Sequence, residues 1–151
     1  MIDLPAADAD DLRRLLGETP AMSLSTTDPD GTPRTTPLYV APDDRLRLLF
    51  LSDGSTRHAA NLSRSPDAAA ALYPSVDDWR AIRGLQMKGR VECLGPAAQA
   101  GEFGVYLKRF PFAAEIAARA PGSLLYRFDP TWIRMIDNRR GFGDQREWRA
   151  A

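Results

Sequence analysis

Arg83-Gly84-Leu85-Gln86-Met87-Lys88-Gly89-Arg90-Val91-Glu92-Cys93-Leu94 sends Leu85, Met87, Val91 and Cys93 to one side and Gln86, Lys88, Arg90 and Glu92 to the other. A period of two sustained this long predicts an antiparallel strand with one buried face, Cys93 among its core residues. Such a strand needs partners, and the flanking sequence supplies them. Ala21–Thr27 alternates Met22, Leu24 and Thr26 against Ser23 and Ser25, and Asp28-Pro29-Asp30-Gly31 turns the chain into a returning strand over Pro33–Ala41. Pro42-Asp43-Asp44 turns it again into Leu46–Leu51, where Leu46, Leu48 and Phe50 alternate with Arg47, Leu49 and Leu51. That run is apolar on both sides, as in a strand covered on both faces. Ala68–Tyr73, after a helix stop at Ser65-Pro66, reads as a further strand, and Ser123–Asp137, interrupted near Asp129-Pro130, as the last.

The helical signals lie between and around these runs. Leu12, Leu15 and Leu16 fall at helical spacing over Asp8–Leu16, with Gly17 as the stop before Pro20. Pro96 reads as the first position of a helix whose Phe103, Tyr106, Leu107 and Phe110 form a core-facing stripe, and Phe112–Arg119 as a second short helix. The tail Asn138-Arg139-Arg140-Gly141-Phe142-Gly143 is polar and glycine-rich, yet Phe142 and Trp148 give it something to pack. About six strands with short turns and only peripheral helices predict a mainly β protein, a closed or nearly closed antiparallel barrel.

Composition narrows the function classes. At 151 residues and 44% hydrophobic content the chain (1-151) is expected to form one domain with a sizeable core. Lys and Arg total 20 against 20 Asp and Glu, so no global field draws the molecule to nucleic acid or an anionic membrane. Lys88, Arg90, Lys108 and Arg109 make no aromatic-interleaved basic stripe, so nucleic-acid binding is not expected. No run approaches the ~20 apolar residues of a membrane span, and Asp3, Asp8, Asp10 and Asp11 stand where a signal peptide would be basic and then apolar. Together with the single Cys93, this predicts a cytoplasmic protein without disulfides. One cysteine and one histidine without metal-ligand spacing argue against a conventional zinc site.

Any anion site must then be local, and the junction Leu51-Ser52-Asp53-Gly54-Ser55-Thr56-Arg57-His58 has the form of one. A strand closes at Ser52, Asp53-Gly54 permits a tight turn, and Ser55 is a suitable N-cap for a helix opening on Thr56, Arg57 and His58. First-turn amides and their positive partial charge attract phosphate, and Arg57 adds a guanidinium suited to bidentate contact. A helix needing only a cap would favour acidic residues there, so Arg57 and His58 run against the local dipole preference. The same residues also suit a solvated corner, as Arg34 alone suits an exposed strand position.

Arg34-Thr35-Thr36-Pro37-Leu38-Tyr39, Leu51-Ser52 with Thr56-Arg57-His58, and Gln86 together resemble the FMN-binding split-barrel proteins of the pyridoxamine 5'-phosphate oxidase superfamily. The likeness spans Ala21–Leu94. Arg127-Phe128-Asp129-Pro130 and the segment from Ile136 to Gly143 look like a small, poorly characterised bacterial branch of it. The resemblance implies a six-stranded antiparallel split β-barrel, a homodimer with FMN at the subunit interface, and cofactor contacts from Arg34, Thr35, Thr36 and Pro37 on one strand. It further implies that Leu51 and Ser52 flank the flavin, that Thr56, Arg57 and His58 surround its phosphate, and that Gln86 contacts the ring. Asn138 and Arg139 are the tail residues it would send to the partner's cofactor.

Two departures matter. His58 stands where the family commonly has lysine, and its reference pKa of about 6.5 makes the charge there conditional. Tyr39 stands where true pyridoxamine phosphate oxidases have a lysine that helps bind the substrate phosphate, and their late Arg and His pair has no match, which argues against that reaction. The expectation is an FMN-dependent oxidoreductase, an oxidase or reductase, with no catalytic side chain assigned. The alternatives are a reductase using the deazaflavin F420 or binding a planar tetrapyrrole-like ligand, and a non-catalytic module that stores or senses flavin.

Overall fold

The computed structural model describes residues 1–151. Helix α1 (Ala6–Glu18) leads into strands β1 (Ala21–Thr27), β2 (Pro33–Pro42) and β3 (Leu48–Asp53); helix α2 (Arg57–Arg64) then precedes β4 (Asp67–Leu72) and β5 (Arg83–Pro96). Helices α3 (Phe103–Arg109) and α4 (Ala113–Arg119) precede β6 (Ser123–Asp137) and β7 (Gln145–Arg149). The sheet order is β3-β2-β1-β4-β5-β6-β7, and β3 also pairs with the first half of β6. That last pairing closes β1 to β6 into a six-stranded antiparallel barrel, while β7 adds to the second half of β6. No helix is long and apolar enough to cross a membrane.

The core follows the alternation. Leu85, Met87 and Val91 of β5 point into the barrel, as do Met22 and Leu24 of β1. Leu48 and Phe50 of β3 join the same core, to which α1 contributes Leu12, Leu15 and Leu16 and α2 contributes Ala59 and Leu62. The opposite face of β3 is also covered. Leu49 packs in a second cluster with Phe103, Tyr106 and Phe110 of the α3 region, so the expectation of a strand buried on both faces holds.

Several boundaries differ from the sequence reading. Leu46 is not in β3 but in the left-handed region at φ 61, where Asp43 Oδ1 accepts the amides of Arg45 and Arg47 and its Oδ2 takes Arg47 Nε at 2.6 Å. Burial of the Leu46 side chain offsets that strained backbone. Pro96 ends β5 rather than starting a helix; a short 3₁₀ turn at Ala97–Gln99 intervenes and α3 begins at Phe103. Proline at a first helical position and at a strand end present the same fixed φ, so sequence alone does not separate them. Helix α1 starts two residues earlier, at Ala6 after Pro5, and runs past Gly17. Asp129-Pro130 does not interrupt β6. The lost donor is absorbed by a bulge in the β5–β6 register between Lys88 and Gly89.

Cys93 is exposed rather than in the core. It keeps the inward phase opposite Tyr126, but there the strand passes an opening beside α2, bordered by Gly54, Leu62 and Tyr126, which the core does not fill. The tail supplies a strand the sequence did not announce: Arg146 of β7 donates to Asp8 and Asp11 of α1, and Trp148 packs on the core.

Gly89 sits where the bulge brings β5 and β6 closest, and a Cβ there would lie 2.3 Å from the Asp129 carbonyl oxygen. Because the obstacle is backbone, Gly89→Ala is expected to cost about 1–3 kcal/mol of stability, read as a lowered urea midpoint with unchanged slope.

Candidate functional site

Strands β2 and β3 pair only over Val40–Phe50, Ala41–Leu49 and Pro42–Leu48. Beyond that they part. Arg34–Tyr39 stays with β1, and Leu51–Asp53 goes with Leu125–Ser123 of β6. A fork opens between two strand edges that each have a partner on one side only. Pro37, which has no N–H to give, is tolerated on β2 because it lies in this edge portion. The fork holds a cleft of about 360 Å³, lined by Pro37, Leu38 and Tyr39 from one arm, Leu51, Ser52 and Asp53 from the other, and Tyr106, Phe112 and Ile116 across the mouth. Tyr106 straps the apex: its hydroxyl donates to the Tyr39 carbonyl at 3.3 Å. Burial pushes that phenol up to about 12, against a smaller opposing pull from the Leu51 amide.

At the β3 end the chain turns into α2. Ser55 does not cap the helix, because its amide and hydroxyl both donate to Asp53 Oδ1, at 2.8 and 2.5 Å. These bonds hold the Asp53 carboxyl below the usual carboxylate range. The cap falls instead to Thr56, whose Oγ1 accepts the Ala59 amide. Ser52 Oγ and His58 Nε2 are 2.6 Å apart, and Thr56 Oγ1 lies 3.2 Å from the same nitrogen. The first turn of α2 is thus tied to the fork.

The charges at this turn are unequal. His58 is buried, and desolvation lowers its pKa, so it stands neutral near pH 7. Arg34 is held in a fork-to-fork pair by Asp28, with Nε to Oδ1 at 2.9 Å and an Nη to Oδ2 at 2.8 Å. Asn61 donates to the same Asp28 at 2.8 Å, and these bonds hold the carboxyl down at about 2. Asp28 therefore stays ionised near neutrality, opposite Arg34. Arg57 is exposed and, unlike Arg34, pairs with no carboxylate; it is the free cation at the helix start.

The structure thus brings Pro37, Leu51 and Ser52 together on the cleft and ties Thr56 and His58 to Ser52, with Arg57 between those two in the first turn of α2. Thr36 is half-buried opposite Leu24, and Thr35 is exposed and bonded to Ser25. Gln86 lies on the outer face of β5, three strands from β2, roughly 14 Å away at ordinary strand spacing. Asn138 braces its own tail, donating to the Trp79 carbonyl and accepting the Gly143 amide, and Arg139 pairs with Asp137. Sequence reasoning missed Tyr106, Phe112 and Ile116 as lining residues because helical spacing shows that a face is apolar, not which surface it meets. No three His, Cys, Asp or Glu side chains assemble into a metal site.

For a histidine whose folded pKa is depressed, stability is fully present above the unfolded value of about 6.5 and is lost as pH falls through that value toward the folded pKa. The melting temperature of the wild type is expected to drop between pH 7.5 and 5.5 more than that of His58→Gln; equal drops would show that His58 does not titrate with unfolding.

Comparison with known proteins places this geometry. A UPF0306 protein of Klebsiella pneumoniae is 31% identical over 111 residues, spanning 74% of this chain and 72% of its own. Among solved structures, a pyridoxamine 5'-phosphate oxidase-related, FMN-binding protein of Nostoc punctiforme superposes with TM-score 0.64 at 19% identity, covering 97% of this chain and 90% of its own. HutZ, the heme storage protein of Vibrio cholerae, superposes with TM-score 0.68 at 16% identity, covering 80% and 88%. At these identities the two structures speak for the fold. The sequence profile of the pyridoxamine 5'-phosphate oxidase family matches residues 9–137, from α1 through the fork to the end of β6, and this chain belongs to that family.

Proposed function

We propose that the chain is a flavoprotein that holds FMN non-covalently in the fork, works as an oxidoreductase, and does so as a homodimer. The observation that carries this reading is the fork itself: two one-sided strand edges framing a cleft whose Ser52 is hydrogen-bonded to His58 in the first turn of a helix that opens on an unpaired arginine. Edges of this kind offer main-chain donors and acceptors to a flat heterocycle, and the helix start with Arg57 offers an anchor to a phosphate. The cleft falls within the ~300–1,000 Å³ usual for small-molecule sites.

When bound, FMN supplies two-electron redox chemistry, and the protein supplies position and electrostatics. Arg57 and the first amides of α2 hold the phosphate, with Thr56 and Ser52 offering hydroxyls. The edges Thr36–Leu38 and Leu51–Ser52 orient the ring. Gln86 lies three strands from β2, and Asn138 and Arg139 are engaged with Trp79, Gly143 and Asp137 of their own chain, so a second subunit is what would carry such residues to the cofactor. No side chain in the cleft is placed as a general base.

A second reading is favoured by the charge count. With His58 neutral and Arg34 paired with Asp28, one free cation remains at the anchor, which suits a ligand held chiefly by its ring system, such as a tetrapyrrole; the deazaflavin F420, whose tail adds carboxylates to a phosphodiester, is the other ring system to test. The deciding experiment is an absorption spectrum of the protein as purified, then titration with FMN, F420 and heme. Saturable FMN binding supports the flavin reading. Binding of F420 or heme in preference to FMN replaces it with the second.

A further inference from the structure

The mouth of the fork is built from rings and is free of positive charge. Tyr39 lies against Phe110 at 5.2 Å between centroids and against Phe112 at 5.8 Å, and Phe110 contacts Tyr106 at 5.1 Å. The cluster is graded: Tyr106 and Phe110 are buried, whereas Tyr39 is 53% and Phe112 46% exposed. Ile116 of α4, 42% exposed, continues the same lip. Isolated exposed apolar residues need no explanation, but three that line one cleft, two of them braced by buried rings, form a preorganised apolar surface.

The charges around the cleft agree with this. Its lining contains no lysine, arginine or histidine, and its one carboxylate is Asp53, kept ionised by Ser55. Arg109, which lies over the Phe110 ring at 5.5 Å, donates to the carbonyls of Leu16 and Gly17 and is not available to a ligand. An anionic substrate entering here would meet one negative group and no positive one, and would lose hydration without compensation. A flat uncharged molecule would instead bury its faces against Tyr39 and Phe112.

The geometry points to a substrate that is planar, apolar and uncharged, seated on the Tyr39–Phe112–Ile116 lip, with phosphorylated and carboxylate substrates discriminated against. The assignment rests on the fork being the flavin site: the cofactor phosphate takes the one anion anchor, at Arg57, and leaves the lip for the second reactant.

The test compares 1-naphthol with 1-naphthyl phosphate, which share a ring and differ in charge, by equilibrium dialysis against the protein as purified and after flavin removal. The expected result is 1-naphthol bound at least about tenfold more tightly than its phosphate. Phe112→Ala and Ile116→Ala should each weaken 1-naphthol about fivefold or more. Both side chains are half-exposed, so the variants are expected to fold, which the far-ultraviolet dichroism checks. Three results overturn the lip: no binding of 1-naphthol, equal or tighter binding of 1-naphthyl phosphate, or 1-naphthol affinity unmoved by either substitution. Failure of the wild type to bind FMN overturns the flavin reading instead, and the naphthol comparison on the same sample separates the two failures.

Discussion

Arg57→Ala is expected to weaken FMN binding by about 10- to 100-fold while riboflavin affinity changes less than about twofold. A hydrogen-bonded charge pair contributes about 1.5–3 kcal/mol, and each 1.4 kcal/mol is a factor of ten in affinity. The whole of that loss is expected to fall on the phosphate because Arg57 stands at the start of α2 and does not line the cleft between the strand edges. No neighbour compensates. His58 is neutral and buried, and Arg34 is taken by Asp28. Isothermal titration with both ligands makes the measurement, and equal losses for FMN and riboflavin would remove the phosphate from this helix.

Phe50→Ala is expected to be the most destabilising of the substitutions considered. Phe50 is fully buried in the barrel and stacks on Tyr126 at 5.1 Å with an interplanar angle of 8°. Truncation of such a ring costs about 3–5 kcal/mol through lost burial and the cavity left behind. At roughly 2–4 °C per kcal/mol for a chain of this size, the melting temperature should fall by about 10 °C. Phe50 also sits in the last β3 position that pairs with β2, next to Leu51 at the start of the fork, so FMN affinity should fall with it. Phe50→Leu, which keeps most of the volume, should cost less than about 1.5 kcal/mol. Similar losses for Ala and Leu would show that ring stacking, not cavity formation, dominates at this position.

The parts of the molecule legible in the sequence are those governed by short-range periodicity. The alternation of β5, the Asp28–Gly31 turn, the doubly apolar β3 and the Phe103–Tyr106–Phe110 stripe each record which faces are buried, and burial is what periodicity reports. The basic helix start was legible for a similar reason, since Arg57 there conflicts with the local dipole. Errors fell where one residue type serves two backbone states, as with Pro96, Leu46 and the choice between Ser55 and Thr56 as cap. The strand β7 was missed because its stability comes from Arg146 meeting Asp8 and Asp11, residues more than a hundred positions away in the chain.

By itself, then, the sequence determined a mainly β barrel with peripheral helices, which residues face its core, and a strand-to-helix junction that opens on basic residues, because each depends on neighbours a few positions apart. Only the tertiary structure decided where β2 and β3 separate, and that Arg34 pairs with Asp28, which Asn61 also holds. It alone set burial of His58 against exposure of Arg57, and it alone brought Tyr39, Phe112 and Ile116 to one cleft. Those outcomes depend on long-range pairing and desolvation, which no local pattern encodes.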